Sequence, residues 1–382
     1  MVYFDNAATT FPKPVDVIDS VISAMKNSAN PGRGGYSMSA KAGEDVYSAR
    51  YEISKLFSCK SENVIFTKNC TESLNTAIKG LVKNNDHILI SSLEHNSVLR
   101  PVIKLNEKRN ISYDIVKIIP ENPEQTILNF LMKIRNNTKV IVCTHVSNVF
   151  GTVLPVKEIA EIAKKKGIYF ILDAAQSAGT LKIDMSDGLF DVVCAPGHKG
   201  LYGPMGTGVM CLSDSVLPET MLEGGTGSFS MNYKQPDILP DRYESGTLNY
   251  PGIKGLLSGL EFIKKQGGPE GIYKHEMYIT DMLYNDLKNI SGLTVFDNML
   301  SSVKAPLLSL KIKNYPSETV ASLLDSYGFA VRGGYQCSYL AHKFYNTEEY
   351  GTVRISPGYF NTKYQIKNLC FYLNKIAKQN IL

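Results

Sequence analysis

The sequence predicts an α/β protein, with a mostly parallel sheet sandwiched by helices in a large domain and a smaller α+β domain at the carboxyl end. Between residues 64 and 212, short and almost continuously apolar runs alternate with segments of helical period, as in parallel sheets covered on both faces. Beyond residue 212 this alternation stops. The 382 residues suffice for two domains, and we place the large one at 12–262 and the small one at 263–382 together with 1–11.

Each predicted element of the large domain follows from its local pattern. Helical periodicity indicates helices at 15–25 and 42–57, before the first strand of the sheet at 64–67. Apolar runs bounded by polar or glycine-containing segments predict further strands at 87–91, 113–119, 139–145, 168–172, 190–195 and 209–212. Four helices are predicted between these strands. The first ends at about residue 81, and the others span 96–106, 124–135 and 156–166.

The small domain has a less regular pattern. A short apolar run at 2–4 enters the body of the protein. Two long helical patterns, at about 252–266 and 273–290, precede its strands. The remaining predicted elements are strands at 307–312, 330–332 and 351–356 and helices at 317–327 and 363–377.

Composition and charge exclude several classes of partner. The net charge of +5 is spread along the chain, and its one dense basic run, Lys164–Lys166, ends a predicted helix, where cations suit the helix dipole. We therefore expect no nucleic-acid partner. The sequence shows neither a membrane-span pattern nor an amino-terminal secretory pattern, so no membrane partner is expected. Seven cysteines without a C-x-x-C pair predict reduced thiols in a cytoplasmic protein, and we predict no metal site.

The turn at 194–208 lies between two predicted strands and holds five glycines, two prolines and a single lysine, Lys199. Glycine and proline constrain the path of such a turn. A lysine buried there has a lowered pKa, and a neutral amine can form a Schiff base with an aldehyde. The alternative is a surface turn with a solvated lysine.

Polar residues follow the predicted strands where each strand ends. They are His95, the segment His145–Asn148, the segment Asp173–Gln176, and His198 with Lys199. In parallel sheets these ends meet at one crevice, where ligands bind. Asp173 ends a wholly apolar strand, so its carboxylate needs a cationic partner.

The segment Lys68–Ser73 joins a strand to a helix and is rich in hydroxyl and amide groups. Such a helix start can bind an anion. The alternative is a plain helix cap made by Thr71 with Glu72 beside it. A nucleotide site is less favoured, since no G-x-G-x-x-G motif follows the first strand.

Three of these segments, His145–Asn148, Asp173–Gln176 and Gly197–Lys199, occur in this order along the chain, and Arg332–Cys337 follows them. Together they resemble the aminotransferase class V superfamily, and within it the cysteine desulfurases with a short catalytic loop. The resemblance implies the fold type I of enzymes that use pyridoxal 5′-phosphate. It also implies a homodimer with shared active sites.

The resemblance implies a role for each site residue around the cofactor ring. Lys199 would hold the cofactor as a Schiff base and act as a general base, and Asp173 would pair with the ring nitrogen, which keeps the ring an electron sink. His95 would stack on the ring. Asn148 and Gln176 would bind its phenolic oxygen.

Further implied roles concern the phosphate and the substrate. Thr71, with Glu72 and nearby amides, and His198 would bind the phosphate, and Thr247 would reach the phosphate of the other subunit. Arg354 would hold the carboxylate of the substrate L-cysteine through its guanidinium fork. The residues implied on the substrate side are Asn6, Ala7, Ala8 and Asn148.

The catalytic residues implied are Lys199, His95 and Cys337. A thiolate at Cys337 would take sulfur from L-cysteine, giving L-alanine and a Cys337 persulfide. The sulfur would pass to an acceptor protein for iron–sulfur cluster or thio-cofactor assembly. Five other cysteines fit inert buried thiols better: Cys59, Cys143, Cys194, Cys211 and Cys370. Cys337 fits less well, because polar residues surround it and a glycine pair precedes it in the loop.

The sequence departs from the pattern of the family at four positions. Pro196 stands where serine is usual, and Tyr335 and Gln336 stand where two histidines commonly precede the cysteine. Tyr36 replaces a common histidine. We therefore expect a changed substrate preference or rate.

Two alternatives stay open. One is another enzyme of the superfamily: a selenocysteine lyase, another C–S lyase or an aminotransferase. The other is a catalytically idle sulfur-relay or scaffold protein, which the presence of Lys199, Asp173 and His95 disfavours.

Overall fold

A computed structural model describes residues 1–31, 34–296 and 303–379. Its strands are β1 (Val2–Tyr3), β2 (Val64–Thr67), β3 (His87–Ser91), β4 (Ser112–Val116), β5 (Thr138–Thr144), β6 (Tyr169–Asp173), β7 (Val192–Pro196), β8 (Gly208–Leu212), β9 (Leu293–Phe296), β10 (Leu308–Ile312), β11 (Phe329–Ala330) and β12 (Val353–Ile355). Its α-helices are α1 (Val15–Asn27), α2 (Ser37–Phe57), α3 (Cys70–Leu81), α4 (Asn96–Arg109), α5 (Pro123–Lys133), α6 (Val156–Lys165), α7 (Tyr250–Lys265), α8 (Gly268–Leu287), α9 (Ser317–Ser326), α10 (Tyr339–Phe344) and α11 (Lys363–Gln379).

The large sheet has seven strands in the order β2-β8-β7-β6-β5-β3-β4. Strand β8 runs antiparallel to both of its neighbours, and every other neighbouring pair is parallel. The strands β3 and β7 are buried along their whole length, as expected for a sheet with both faces covered. The predicted α/β fold with a mostly parallel sheet is confirmed.

Two apolar cores lie on opposite faces of this sheet. In β3, Leu89 belongs to one core, whereas Ile88 and Ile90 belong to the other, because successive side chains of a strand point to opposite faces. Helices α2, α6 and α7 contribute to the first core, and α3 and α4 to the second. The carboxyl ends of β5, β6 and β7 are therefore held at one edge, between two helical layers.

A third core combines α8, α9 and α11 with the antiparallel sheet β12-β10-β9. Phe4 belongs to this core as well, since β1 pairs in parallel with β11 and Asp5 bridges Ser356. The domain boundary stays a prediction, and residues 297–302 and 380–382 of the predicted small domain lie outside the described residues.

Within the described part of the chain, no helix combines the length and the apolar character that crossing a bilayer requires.

Candidate active site

A cavity of about 100 Å³ lies at the carboxyl ends of β5, β6 and β7. The predicted site residues that line it are Thr71, His95, Asn148, Asp173, Gln176, His198 and Lys199. Cys70, Ser97 and Pro196 are further members of its wall. The fold thus brings together in one crevice Thr71 and Lys199, which are 128 residues apart in the sequence.

Lys199 is held by a turn that only glycine allows. A Cβ on Gly200 would lie 2.2 Å from the carbonyl oxygen of Ala178, so a larger residue would push the turn away from the segment that follows β6. The carbonyl of Lys199 accepts a hydrogen bond from the Tyr202 amide at 2.8 Å. Burial, and secondly the charge of Arg354, lower the pKa of the Lys199 amine. This amine therefore loses its proton more readily than a solvated lysine does.

Asp173 ends β6 with a side chain that is almost wholly buried. Its Oδ1 accepts hydrogen bonds from the Ala175 amide at 2.9 Å and from the Cys70 thiol at 3.6 Å. Burial raises the pKa of this carboxyl, whereas the Ala175 amide, the Lys199 charge and the Cys70 thiol lower it. A cation in the cavity would stabilise the charged form, which fits a protonated ring nitrogen.

The amino terminus of α3 lines one end of the cavity. The helix begins at Cys70, and its cap is Asn69, whose Oδ1 accepts from the Glu72 amide at 2.9 Å, so Thr71 is not the cap. The Thr71 hydroxyl is 2.8 Å from that of Ser97. Nδ1 of His198 is buried and has no partner among the described residues. An aldehyde-reactive amine, a buried carboxylate and this unused donor capacity fit pyridoxal 5′-phosphate.

Glu72 does not line this cavity. Its Oε2 accepts from the Lys68 amide at 2.6 Å, and its side chain borders a separate small cavity beside Thr67. Thr247 is exposed and also lies outside the cavity of its own chain.

His95 caps α4 and lines the cavity at the same time. Nδ1 accepts from the Ser97 amide at 3.0 Å, so the neutral ring carries its hydrogen on Nε2. Burial, and secondly the charge of Lys199, lower the pKa of His95 to about 4. The ring is therefore neutral at physiological pH, which suits stacking on a cofactor ring.

Arg354 lies next to the cavity and is almost completely buried. It donates from Nη1 to the carbonyl of Asn148 at 2.8 Å and from Nη2 to Oδ1 of Asp5 at 2.6 Å. Its Nε has no partner in the described parts of the chain. The sequence analysis missed Asp5, although it directly precedes the predicted substrate residue Asn6.

The predicted substrate residues Asn6 and Ala7 line an adjoining cavity that also reaches Lys199, whereas Ala8 lines neither cavity. The Gln176 side chain donates to the carbonyl of Ala7 at 2.9 Å. This bond connects the two cavities and leaves Gln176 one hydrogen for a ligand.

Lys13 is a second residue that sequence reasoning missed. Its Nζ donates to the Thr10 hydroxyl at 2.6 Å and to the carbonyl of His198 at 2.7 Å. Burial lowers the pKa of Lys13 to about 7. No local pattern signals this contact, because His198 lies 185 residues away.

Cys337 adjoins the cavity on a fixed loop. All seven cysteines lie in described residues, and Cys337 is the exposed one among them. Its carbonyl accepts from the Asn96 amide at 2.9 Å, and the side chain of Asn148 donates to the carbonyl of Gln336 at 2.8 Å. The residue is therefore exposed, and the backbone that carries its thiol is bonded to Asn96 and Asn148.

The sequence model of the family described as Aminotransferase class-V matches residues 2–369. The chain belongs to this family. A member similar to it is the probable cysteine desulfurase of Methanothermobacter thermautotrophicus, 33% identical over 98% of this chain and 94% of that protein. The cysteine desulfurase of Escherichia coli O157:H7 is 29% identical over 99% of this chain and 94% of that protein.

Solved structures agree with this membership of the class-V family. The apo structure of the cysteine desulfurase from Thermococcus onnurineus NA1 matches with a TM-score of 0.91 and 29% identity, covering 99% of this chain and 95% of that one. These likenesses confirm the predicted family, the predicted fold and the prediction of an enzyme of the cysteine desulfurase type. The role of each site residue stays a prediction.

Proposed function

We propose that this class-V family member is a pyridoxal 5′-phosphate-dependent cysteine desulfurase that converts L-cysteine to L-alanine and carries the sulfur as a persulfide on Cys337. The observation that supports this proposal is one cavity lined by Lys199, Asp173 and His95, beside an exposed thiol. A lone buried lysine would not suggest this chemistry, because a carboxylate is needed to keep the cofactor ring protonated.

The side chains around the cavity divide the binding of the cofactor among them. Lys199 would hold it as a Schiff base, and Asp173 would face its ring nitrogen. His198 and the start of α3, with Thr71, would hold the phosphate. When bound, the cofactor supplies an electron sink for the α-carbon of an amino acid.

The substrate would bind through its carboxylate. Arg354 keeps three N–H donors for it, one each on Nε, Nη1 and Nη2, because its bonds to Asp5 and Asn148 use two of the five hydrogens. Asp5 holds the guanidinium in place through a charge-assisted bond. These two bonds thus fix the orientation of the guanidinium plane and of the hydrogens that remain.

The sulfur transfer itself is a balanced exchange at the substrate. The Cys337 thiolate forms a bond to the substrate sulfur, and the substrate Cβ–S bond breaks with its electron pair going to Cβ. That carbon takes a proton, and the product is alanine. The sulfur remains on Cys337 as a persulfide, so no external oxidant or reductant is consumed.

Three further parts of the proposal concern partners and place. Thr247 is exposed, which supports a homodimer in which it completes the phosphate site of the other subunit. The exposed Cys337 supports transfer to a sulfur-acceptor protein, for iron–sulfur cluster or thio-cofactor assembly. The unpaired cysteines support a cytoplasmic location.

Replacement of the nucleophile tests the proposal. With L-cysteine and a reductant, the wild type should release alanine and sulfide, and C337A should release neither, because its side chain has no sulfur to attack the substrate. Absorbance of bound cofactor should be the same in both proteins. C59A is the matched control, since Cys59 is only half-buried and lies outside the cavity, and it should turn over normally.

Equal release of sulfide by C337A would contradict the persulfide step and leave the cofactor assignment standing. Cleavage of selenocysteine or transamination that persists in C337A, with no desulfuration by the wild type, would favour the other enzymes of the superfamily. A purified protein that takes up no cofactor would favour the idle scaffold.

A further inference from the structure

Gln336 is buried directly before the exposed Cys337. Its Nε2 donates to the carbonyls of Thr352 at 3.0 Å and Arg332 at 3.2 Å. Because both hydrogens of the amide are used, its Oε1 is left as an acceptor, 3.1 Å from Nε2 of His342. His342 is therefore the donor in that bond.

His342 lies in α10 and is completely buried. With the hydrogen on Nε2, its Nδ1 accepts from the hydroxyl of Thr347 at 2.7 Å. Burial lowers the pKa of His342 to about 4, so the ring neither gains nor loses a proton at neutral pH. His342 therefore acts toward Gln336 as a neutral hydrogen-bond donor.

The loop needs this support because its backbone is strained. Gln336 has φ of 44° and Cys337 has φ of 59°, so two successive residues with side chains lie in the left-handed region. Residues with side chains are strained in this region unless their surroundings compensate. The bond from His342 to Gln336 fixes the first of the two.

A second set of bonds connects the same loop to the cofactor cavity. The Ser338 hydroxyl donates to Oδ1 of Asn148 at 2.6 Å, and Nδ2 of Asn148 donates to the carbonyl of Gln336 at 2.8 Å. Asn148 lines the cavity. The two sets of bonds together hold the backbone on both sides of Cys337.

We propose that Gln336 and His342 are positioning residues, which hold Cys337 in its left-handed conformation and thereby aim its thiol at the substrate sulfur. This inference rests on the proposed function of Cys337. The family resemblance leads one to expect a histidine at position 336, where this chain has glutamine. The imidazole of His342, six residues further on, donates a hydrogen bond to that glutamine. The role assigned here is geometric and involves no proton transfer.

Two substitutions at His342 separate the hydrogen bond from simple packing. The amide nitrogen of glutamine reaches about as far as imidazole Nε2, whereas that of asparagine reaches only about as far as Nδ1. H342Q should therefore keep kcat within about twofold. H342N should lower kcat by at least about tenfold at unchanged KM, since small misplacements of a reacting group cost that much.

Single-turnover measurements follow the rate of persulfide formation, which a general loss of stability would not change. In H342N the persulfide on Cys337 should form more slowly, while the cofactor absorbance should respond to L-cysteine at the same concentrations as in the wild type. If H342N does not fold, Q336M, which keeps the chain length and removes all three side-chain bonds, should show the same loss.

The outcomes are distinguishable. A folded H342N or Q336M with the wild-type kcat would overturn the positioning role, and so would equal losses in H342N and H342Q. A wild type that forms no persulfide would instead overturn the proposed function.

Discussion

At the residue scale, the site depends on buried ionisable groups whose charge is set by their surroundings. Glu94 directly precedes the cavity residue His95 and is completely buried. Its Oε1 accepts from the Ser91 hydroxyl at 2.5 Å and from the Thr144 amide at 2.8 Å, so it joins the ends of β3 and β5. Burial raises the pKa of Glu94 from 4.5 to about 8. The folded protein therefore holds a proton there that the unfolded chain releases.

This difference predicts a dependence of stability on pH. The contribution of Glu94 is fully present below pH 4.5 and is lost as the pH rises to about 8, because the unfolded chain binds fewer protons over that range. In E94Q, which keeps the acceptor oxygen but cannot titrate, the free energy of unfolding should fall less between pH 5 and pH 8. The difference between the two proteins should be of the order of a few kcal/mol, measured by urea unfolding at both values.

The control for this prediction is E107Q, because the side chain of Glu107 is 57% exposed. Its unfolding free energy should follow that of the wild type at both pH values. Parallel curves for the wild type and E94Q would show that Glu94 does not retain a proton on folding.

Individual residues differ in how far the sequence could reveal them. Asp173 and Lys199 come after predicted apolar strands. A local sequence pattern is therefore enough to predict their place in the crevice. The pairing of Asp5 with Arg354 joins residues 349 positions apart, and His342 reaches Gln336 only through the fold of its loop. Such contacts follow from packing, which no local period encodes.

At the scale of elements, the amino terminus of α3 combines a structural and a binding role. Asn69 caps this helix, and Asn122 caps α5 in the same way by accepting from the Gln125 amide at 2.9 Å. Loss of either cap should cost about 1 kcal/mol of stability. The two caps differ in that only the start of α3 lines the cavity.

N69A and N122A therefore form a matched pair. Both should unfold about 1 kcal/mol more easily than the wild type, in urea titrations of the protein without added cofactor. Only N69A should bind pyridoxal 5′-phosphate more weakly, by several-fold, in a titration followed by absorbance. Equal cofactor affinities in the two variants would contradict a role of α3 in binding the phosphate.

The predicted elements agree with the structure where burial is strong. The strands β2 and β3 have the predicted bounds, since apolar runs there are fully enclosed. No sequence pattern predicts β9, which is only half-buried and exposes Thr294. Nor does one predict α10, whose six residues are too few to show a helical period.

At the scale of the whole molecule, the proposal requires two chains for each complete site. Thr247 is exposed in one chain and would contribute to the phosphate site of the other. A symmetric dimer would then hold two sites, each built from both subunits. Neither K199A nor T247A homodimers would contain a complete site.

Mixing these two variants tests the shared site. After partial unfolding and reassociation, a hybrid of K199A and T247A contains one site with both defects and one with none. Alanine production from L-cysteine should therefore return in part, although K199A alone should be inactive and T247A alone strongly impaired. A mixture no more active than the average of its components would contradict sharing.

Residues 2–10 make contacts with parts of the chain that are far away in the sequence. Residues 2–5 pair with Phe329–Ala330 and Ser356, while Thr10 bonds the carbonyl of His198 beside Lys199. Contacts between such distant parts form late, because the intervening chain must first be ordered. Residues 2–5 therefore cannot pair until residues 329–356 have been made. The cavity lined by Asn6, Lys199 and Ser356 can be completed only after that point.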